Sequence, residues 1–104
     1  MIDLEYEIRF LPIFREDFMG IINYISNDLK NPKAAERLIQ KVTNEILNRS
    51  CYPKAFEPYP SRHDRNNVYY RIYVDNYIIF YIVKDNIMEI HRIVYNKTDY
   101  TNYV

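Results

Sequence analysis

Two Asp-Asn dipeptides, Asp75-Asn76 and Asp85-Asn86, cut the stretch from Val68 to Tyr95 into three apolar segments. Asp and Asn tolerate left-handed backbone, so each dipeptide suits the two-residue turn of a β-hairpin. The segments between the turns carry strand patterns. Val68, Tyr70, Ile72 and Val74 alternate with Tyr69, Arg71 and Tyr73; Tyr77 to Val83 is almost wholly apolar; Ile87 to Tyr95 is mixed. Together they predict a three-stranded antiparallel meander whose continuous middle strand is central and buried.

What precedes the meander reads differently. Leu4 to Phe10 alternates Leu4, Tyr6, Ile8 and Phe10 with Glu5, Glu7 and Arg9, the period-two signature of a strand covered on one face, and Pro12 stops it. Phe14, Phe18, Ile21, Ile22, Ile25 and Leu29 then recur at helical steps, in a helix that Gly20 weakens without breaking. Asn31-Pro32 opens a second helix, with asparagine able to cap and proline at the first helical position. Its apolar stripe is Ala35, Leu38, Ile39, Val42, Ile46 and Leu47, ending near Arg49 to Cys51. Pro53, Pro58 and Pro60 mark a loop that runs to Asn67, and Asn96 to Val104 reads as a short helical turn or a loose tail.

The order strand, helix, helix, strand, strand, strand predicts an α+β fold: an N-terminal two-helix hairpin packed on one face of a four-stranded, mainly antiparallel sheet. Leu38, Val42, Ile72 and Phe80, with Ile82 or its neighbour Ile79, are expected to share one core. At 104 residues this is a single domain, 1–104, and any function sits on that one scaffold.

Composition removes whole classes of chemistry. With Gly20 as the only glycine there is no glycine-rich phosphate loop. The lone Cys51 excludes an internal disulfide and every paired-cysteine zinc set, while His63 and His91 do not form a helical metal motif. The expectation is a reduced, cytoplasmic protein with no metal and no cofactor. No apolar run approaches the roughly 20 residues of a membrane span, and the start carries Asp3, Glu5 and Glu7 in place of a basic leader. Fourteen basic and fourteen acidic side chains cancel, so no polybasic arm advertises nonspecific nucleic-acid binding. The excess is in tyrosine: 12 in all, 8 of them from Tyr69 onward, a residue suited to half-buried strands and interfaces.

The stretch Phe14 to Val42 (FREDFMGIINYISNDLKNPKAAERLIQKV), then Tyr70 to Val83 (YRIYVDNYIIFYIV), then Ile90 to Tyr100 (IHRIVYNKTDY) resembles the RelE/ParE superfamily of toxins from bacterial type II toxin–antitoxin modules. The resemblance covers nearly the whole chain. It implies a small toxin held silent by a cognate protein antitoxin, and it does not fix the target, since many members have none assigned. RelE-like members are metal-independent endoribonucleases that cut messenger RNA in the ribosomal A site; ParE-like members inhibit DNA gyrase by binding. The long hairpin with its Asn-Pro break and the Ala34-Ala35 pair is closer to the ParE-like branch.

Metal-free cleavage of RNA needs a proton acceptor, a proton donor and cations for the phosphorane charge. By resemblance to the RelE-like set, Arg71 and Lys97 would hold phosphate and Tyr100 would orient the nucleophile or assist proton transfer, with His91, Arg92 and Arg65 as further candidates. On these residues the favoured mechanism is ribosome-associated mRNA cleavage, with ribosome and mRNA as partners; the alternative is gyrase inhibition. The chain departs from the RelE-like pattern at Ile78 after Tyr77, at Thr98 and at Asn96, where the family often has arginine, a second basic residue and glycine. Each candidate also has a structural reading. Arg71 can stack on the tyrosines that flank it, His91 can hold a cross-strand partner, and Arg92, aligned with Met88, Ile90 and Val94, can form a partly buried ion pair. His63 fits a solvated loop, and Cys51 a small buried hydrophobe. The tyrosine-rich sheet fits a protein–protein surface as well as an RNA groove, and an antitoxin segment would fold onto it by adding a strand to an edge or a helix along the hairpin.

Overall fold

Each apolar pattern in the sequence becomes an element of a four-stranded sheet with two helices on one side. The structure, a computed structural model, describes residues 6–61 and 66–104. The elements are β1 (Glu7–Phe10), α1 (Pro12–Asn23), a π-helical turn (Tyr24–Asp28), α2 (Pro32–Arg49), β2 (Tyr70–Val74), β3 (Tyr77–Lys84) and β4 (Ile87–Tyr95). Leu4, Glu5, His63 and Arg65 lie outside the described residues.

The sheet order is β1-β4-β3-β2. Both hairpins of the meander are antiparallel, and the first residue of each turn, Asp75 (φ 52°) and Asp85 (φ 54°), takes the left-handed conformation that the dipeptides predict. β1 pairs with β4 in parallel, so the sheet is mixed. The two-helix crossover returns the chain to the far side of the meander, and that sets the parallel direction.

Both helices open on proline. Pro12 begins α1 directly after β1, and Asn31 caps α2 by accepting from the Ala34 N–H at 3.2 Å. The expected first helix widens after Asn23 into the π-turn, and Lys30 (φ 50°) reverses the chain without a glycine, at a cost of about 1 kcal/mol. Leu29, Ile39 and Leu47 of the two predicted stripes are exposed; Ala35, Leu38, Val42 and Ile46 are the buried face of α2. Cys51 is also exposed, because α2 ends two residues before it and the chain turns outward.

Two cores form, one on each face of the sheet. Under the helices lie Phe14, Leu38, Val42, Ile46, Ile72, Ile79, Tyr81, Met88, Ile90 and Ile93. Phe80 and Ile82 are not among them: they join Tyr69, Ile78, Val94 and Val104 on the opposite face, under Tyr59 of the loop and Tyr100 of the tail. That is why β3 is apolar without alternation. Successive side chains point to opposite faces, and both faces are covered.

The C-terminal end of α2 is pinned to the sheet. Arg49 donates to the Arg71 carbonyl (2.8 Å) and the Tyr81 hydroxyl (3.0 Å), its guanidinium lies 3.6 Å from the Phe56 ring centre, and Tyr81 donates to the Pro53 carbonyl at 2.6 Å. Burial raises the Tyr81 pKa against the lowering effect of Arg49.

Candidate functional site

The face of the sheet away from the helices carries Arg71, Tyr100 and His91, three of the five described candidates. Arg71 projects from β2 onto this face, with its guanidinium carbon 5.2 Å from the Tyr59 ring centre and 6.0 Å from that of Tyr73. The stacking partners are thus Tyr59 and Tyr73, and Tyr59 comes from the proline-rich loop. A backbone bridge between Tyr59 and Tyr69, with the Tyr59 N–H donating at 2.7 Å to the Tyr69 carbonyl, draws that loop in.

Tyr100 belongs to the same cluster. Its ring centre is 5.3 Å from Phe80 and 6.2 Å from Tyr59, and Tyr59 meets Phe80 edge-on at 5.1 Å. Such pairs contribute about 0.5–1.5 kcal/mol each beyond the area they bury. The tail that delivers Tyr100 is locally ordered: Asp99 accepts from the Thr101 N–H (3.2 Å) and hydroxyl (2.7 Å), and these bonds lower its pKa. Tyr103 and Val104 donate their N–H groups to the Tyr100 carbonyl. Lys97 is exposed in the turn that follows β4, outside this aromatic cluster.

His91 occupies a β-bulge. β3 and β4 pair Phe80 with Arg92 and Tyr81 with Ile90, so His91 is the extra residue, and a bulge re-aims the side chains around it. Its Nε2 lies 2.7 Å from Glu89 Oε1 and its Nδ1 3.1 Å from the Tyr69 hydroxyl. An ionised carboxylate only accepts, so the consistent assignment has Nε2–H donating to Glu89 and Nδ1 accepting from Tyr69. The product is a Glu–His–Tyr chain of hydrogen bonds, with the Tyr69 ring buried and the other two side chains largely so.

The bulge also flips the parity of β4, which corrects the expected alignment of Arg92. Ile93 takes the place beside Met88 and Ile90 in the helix-side core, and Val94 faces the other way. Arg92 forms the ion pair expected of it. Its Nε and Nη2 donate to Asp17 of α1 at 2.7 and 2.9 Å, and its guanidinium stacks 4.5 Å from the Tyr103 ring centre. The hydrogen bond to Asp17 raises the Arg92 pKa, opposed by burial.

The structure therefore joins Arg71 and Tyr100 through Tyr59, places His91 on the same face, and sets Arg92 and Lys97 apart from that cluster. Sequence reasoning missed Asp17, Glu89, Tyr59 and Tyr69 as partners. Asp17 had a signal: it sits three residues after Phe14 and four before Ile21, so it lies beside the buried ridge of α1, where a carboxylate needs a partner.

A family model described as the ParE toxin of type II toxin–antitoxin systems, parDE, matches residues 8–100. A chain of the chromosomal ParDE system from P. aeruginosa is similar in fold, with a TM-score of 0.71 at 14% identity over 88% of this chain and 97% of that one. A chain of the RelB–RelE antitoxin–toxin complex from Methanococcus jannaschii matches more loosely, with a TM-score of 0.47 at 22% identity over 92% of this chain and 99% of that one. No curated protein matches the chain in sequence. On a family match that spans all the elements from β1 to the tail, the chain belongs to the ParE toxin family of type II toxin–antitoxin systems.

Proposed function

We propose that this toxin, silenced in the cytoplasm by a cognate protein antitoxin, arrests growth by binding DNA gyrase and not by cutting messenger RNA. The observation that carries the reading is the packing of the cationic set. Arg71 lies over a tyrosine ring, Arg92 is neutralised by Asp17, and Tyr100 is wedged against Phe80. A metal-free ribonuclease must gather cations around a developing dianion. Here the charges are dispersed, and the described surface of the same face is rich in tyrosine, as protein interfaces are. An inhibitor that acts by binding needs no convergent acid, base and cation.

One feature favours the mRNA-cleavage reading: the Glu89–His91–Tyr69 chain supplies a carboxylate-oriented imidazole, the usual equipment of a general base. Parallel assays separate the two. Purified toxin is incubated with gyrase and supercoiled plasmid, and with translating ribosomes in EDTA. Trapped, cleaved plasmid with intact message is the expected result. Message cleavage that disappears in His91→Gln and Arg71→Ala would replace this proposal with the enzyme.

A further inference from the structure

β4 is longer than the strand beside it. β1 ends at Phe10, opposite Ile90, and the Leu11 N–H makes the last bond to β4 at the Ile90 carbonyl, 3.0 Å, while β4 continues to Tyr95. Residues of an antiparallel strand alternate in the edge to which both backbone groups point. The Asn96 N–H bonds to the Asn76 carbonyl (2.8 Å) on the β3 side, so Val94 faces β3 as well, and Ile93 and Tyr95 face the edge that β1 has left. Two of their four groups are taken: the Ile93 N–H donates to Asp17 (3.3 Å), and the Tyr95 carbonyl accepts from the Thr98 N–H (2.9 Å). Among the described residues, nothing pairs with the Ile93 carbonyl or the Tyr95 N–H.

Ile93 and Tyr95 both line a cleft of about 710 Å³ between α1 and β4, together with Gly20, Ile21, Tyr24 and Tyr77 among others. That volume is within the range of ligand-binding sites. The geometry also selects a polarity. A parallel neighbour bonds to the carbonyl and N–H that flank one residue, here Val94; an antiparallel neighbour needs both groups of Ile93 or both of Tyr95, and one of each is occupied.

The only glycine in the chain stands on the wall of this cleft. Gly20 is helical, has no positive φ, and a Cβ built there would meet nothing within 4 Å. Neither backbone strain nor close packing requires glycine, although glycine inside a helix costs about 1 kcal/mol relative to alanine. A larger side chain placed at Gly20 would extend into open space at the cleft.

We propose that an extended, apolar segment of the cognate antitoxin docks in this cleft parallel to β4. One of its residues is clamped between the Ile93 carbonyl and the Tyr95 N–H, and an apolar side chain enters between Tyr24, Tyr77 and Tyr95. The proposal rests on the antitoxin partner inferred above and specifies where and in which direction that partner binds. Strand addition of this kind draws affinity from main-chain bonds and selectivity from side-chain pockets.

The test uses the full chain with the antitoxin encoded beside it. Gly20→Phe fills the cleft, and Gly20→Ala serves as its control. Both variants are expected to melt no lower than the native protein, while Gly20→Phe alone loses antitoxin affinity by about tenfold or more, equivalent to about 1.4 kcal/mol. In the native complex the Tyr95 amide should exchange far more slowly than in the free toxin, and short antitoxin peptides should lose binding when the clamped residue is N-methylated. Native affinity in a folded Gly20→Phe, or equal Tyr95 exchange free and bound, overturns the cleft assignment while the complex itself persists. Absence of any complex with the native chain overturns the antitoxin reading. If Gly20→Phe does not fold, the exchange measurement decides.

Discussion

The two faces of the sheet are built by different means. The helix face is sealed by Phe14 and by one row of α2, Leu38, Val42 and Ile46, packed on Ile72, Ile79, Met88, Ile90 and Ile93. Among the described residues, the opposite face has no helix. Its buried residues lie beneath Tyr59 and Tyr100, contributed by a loop and a tail, and beside them stand Arg71 and the Glu89–His91–Tyr69 chain. A continuous aliphatic core under regular helices opens only in global unfolding, whereas a cover of a few rings opens locally at lower free energy. The lesson is a division of labour: stability resides mainly on one face, and the polar chemistry is gathered on the other, where side chains remain partly accessible.

The strongest challenge to this division is a cavity on the helix face. Ile72→Ala is expected to cost about 2–5 kcal/mol, because the packed site collapses only partly around the lost atoms. Denaturant unfolding should register the whole loss as a lower midpoint, with growth inhibition weakened through reduced abundance. A cost below about 1 kcal/mol would mean that the helix face is not the main store of stability.

The joint between the helix layer and the sheet comes next. Asp17 receives two bonds from Arg92 and one from the Ile93 N–H, with both side chains mostly out of solvent. Asp17→Ala leaves a guanidinium and a backbone N–H without their acceptor, and a loss of about 1.5–3 kcal/mol is expected. The exposed pair Lys41–Asp75 sets the scale from below: at 3.0 Å and about half exposed on each side, it contributes no more than about 1 kcal/mol, tested by Lys41→Ala. Equal effects at the two sites would remove Asp17 as the tie between α1 and β4.

Much of the helix face was legible in the sequence, because its signals are local and periodic. Asn31-Pro32, the Asp-Asn turns and the α2 positions Leu38 and Val42 each act within a few residues, and the structure realises them. The other face was not legible. Tyr59, Phe80 and Tyr100 meet across long loops that carry no period, and one extra residue at His91 shifts every later side chain of β4 to the opposite face. The unbroken run in β3 was the available signal. It predicts a central, buried strand, and β3 is covered on both faces.

Alkaline pH reports on Tyr81, fully buried in the helix-side core. Burial raises its pKa in the folded state above the ordinary value of about 10. An unfolded chain therefore releases this proton first, so the stabilising contribution is complete below about pH 10 and is lost as pH rises through the folded value. Stability measured from about pH 8 to about pH 11 should fall at the upper end, and Tyr81→Phe should flatten that fall. It should also lower stability at neutral pH, since the Pro53 carbonyl and Arg49 both lose a hydrogen-bond partner. An unchanged slope in Tyr81→Phe would move the alkaline loss elsewhere, first to Tyr77, whose pKa burial also raises.

The smallest expected effect on stability bears most directly on function. Tyr100 packs its ring against Phe80 and Tyr59, so Tyr100→Ala should loosen the second face, whereas Tyr100→Phe keeps the ring and removes only the hydroxyl. If Tyr100 serves packing alone, the Phe variant stays within about 0.5 kcal/mol of the native protein and inhibits growth as strongly, while the Ala variant is weakened in both. If the hydroxyl orients a nucleophile or moves a proton, the Phe variant is as stable as the native chain and harmless to cells. Denaturant unfolding and growth after induction, measured on the same three proteins, distinguish these outcomes. Under the binding mechanism, Tyr100→Phe remains toxic, because the ring shape of the tyrosine-rich face is unchanged.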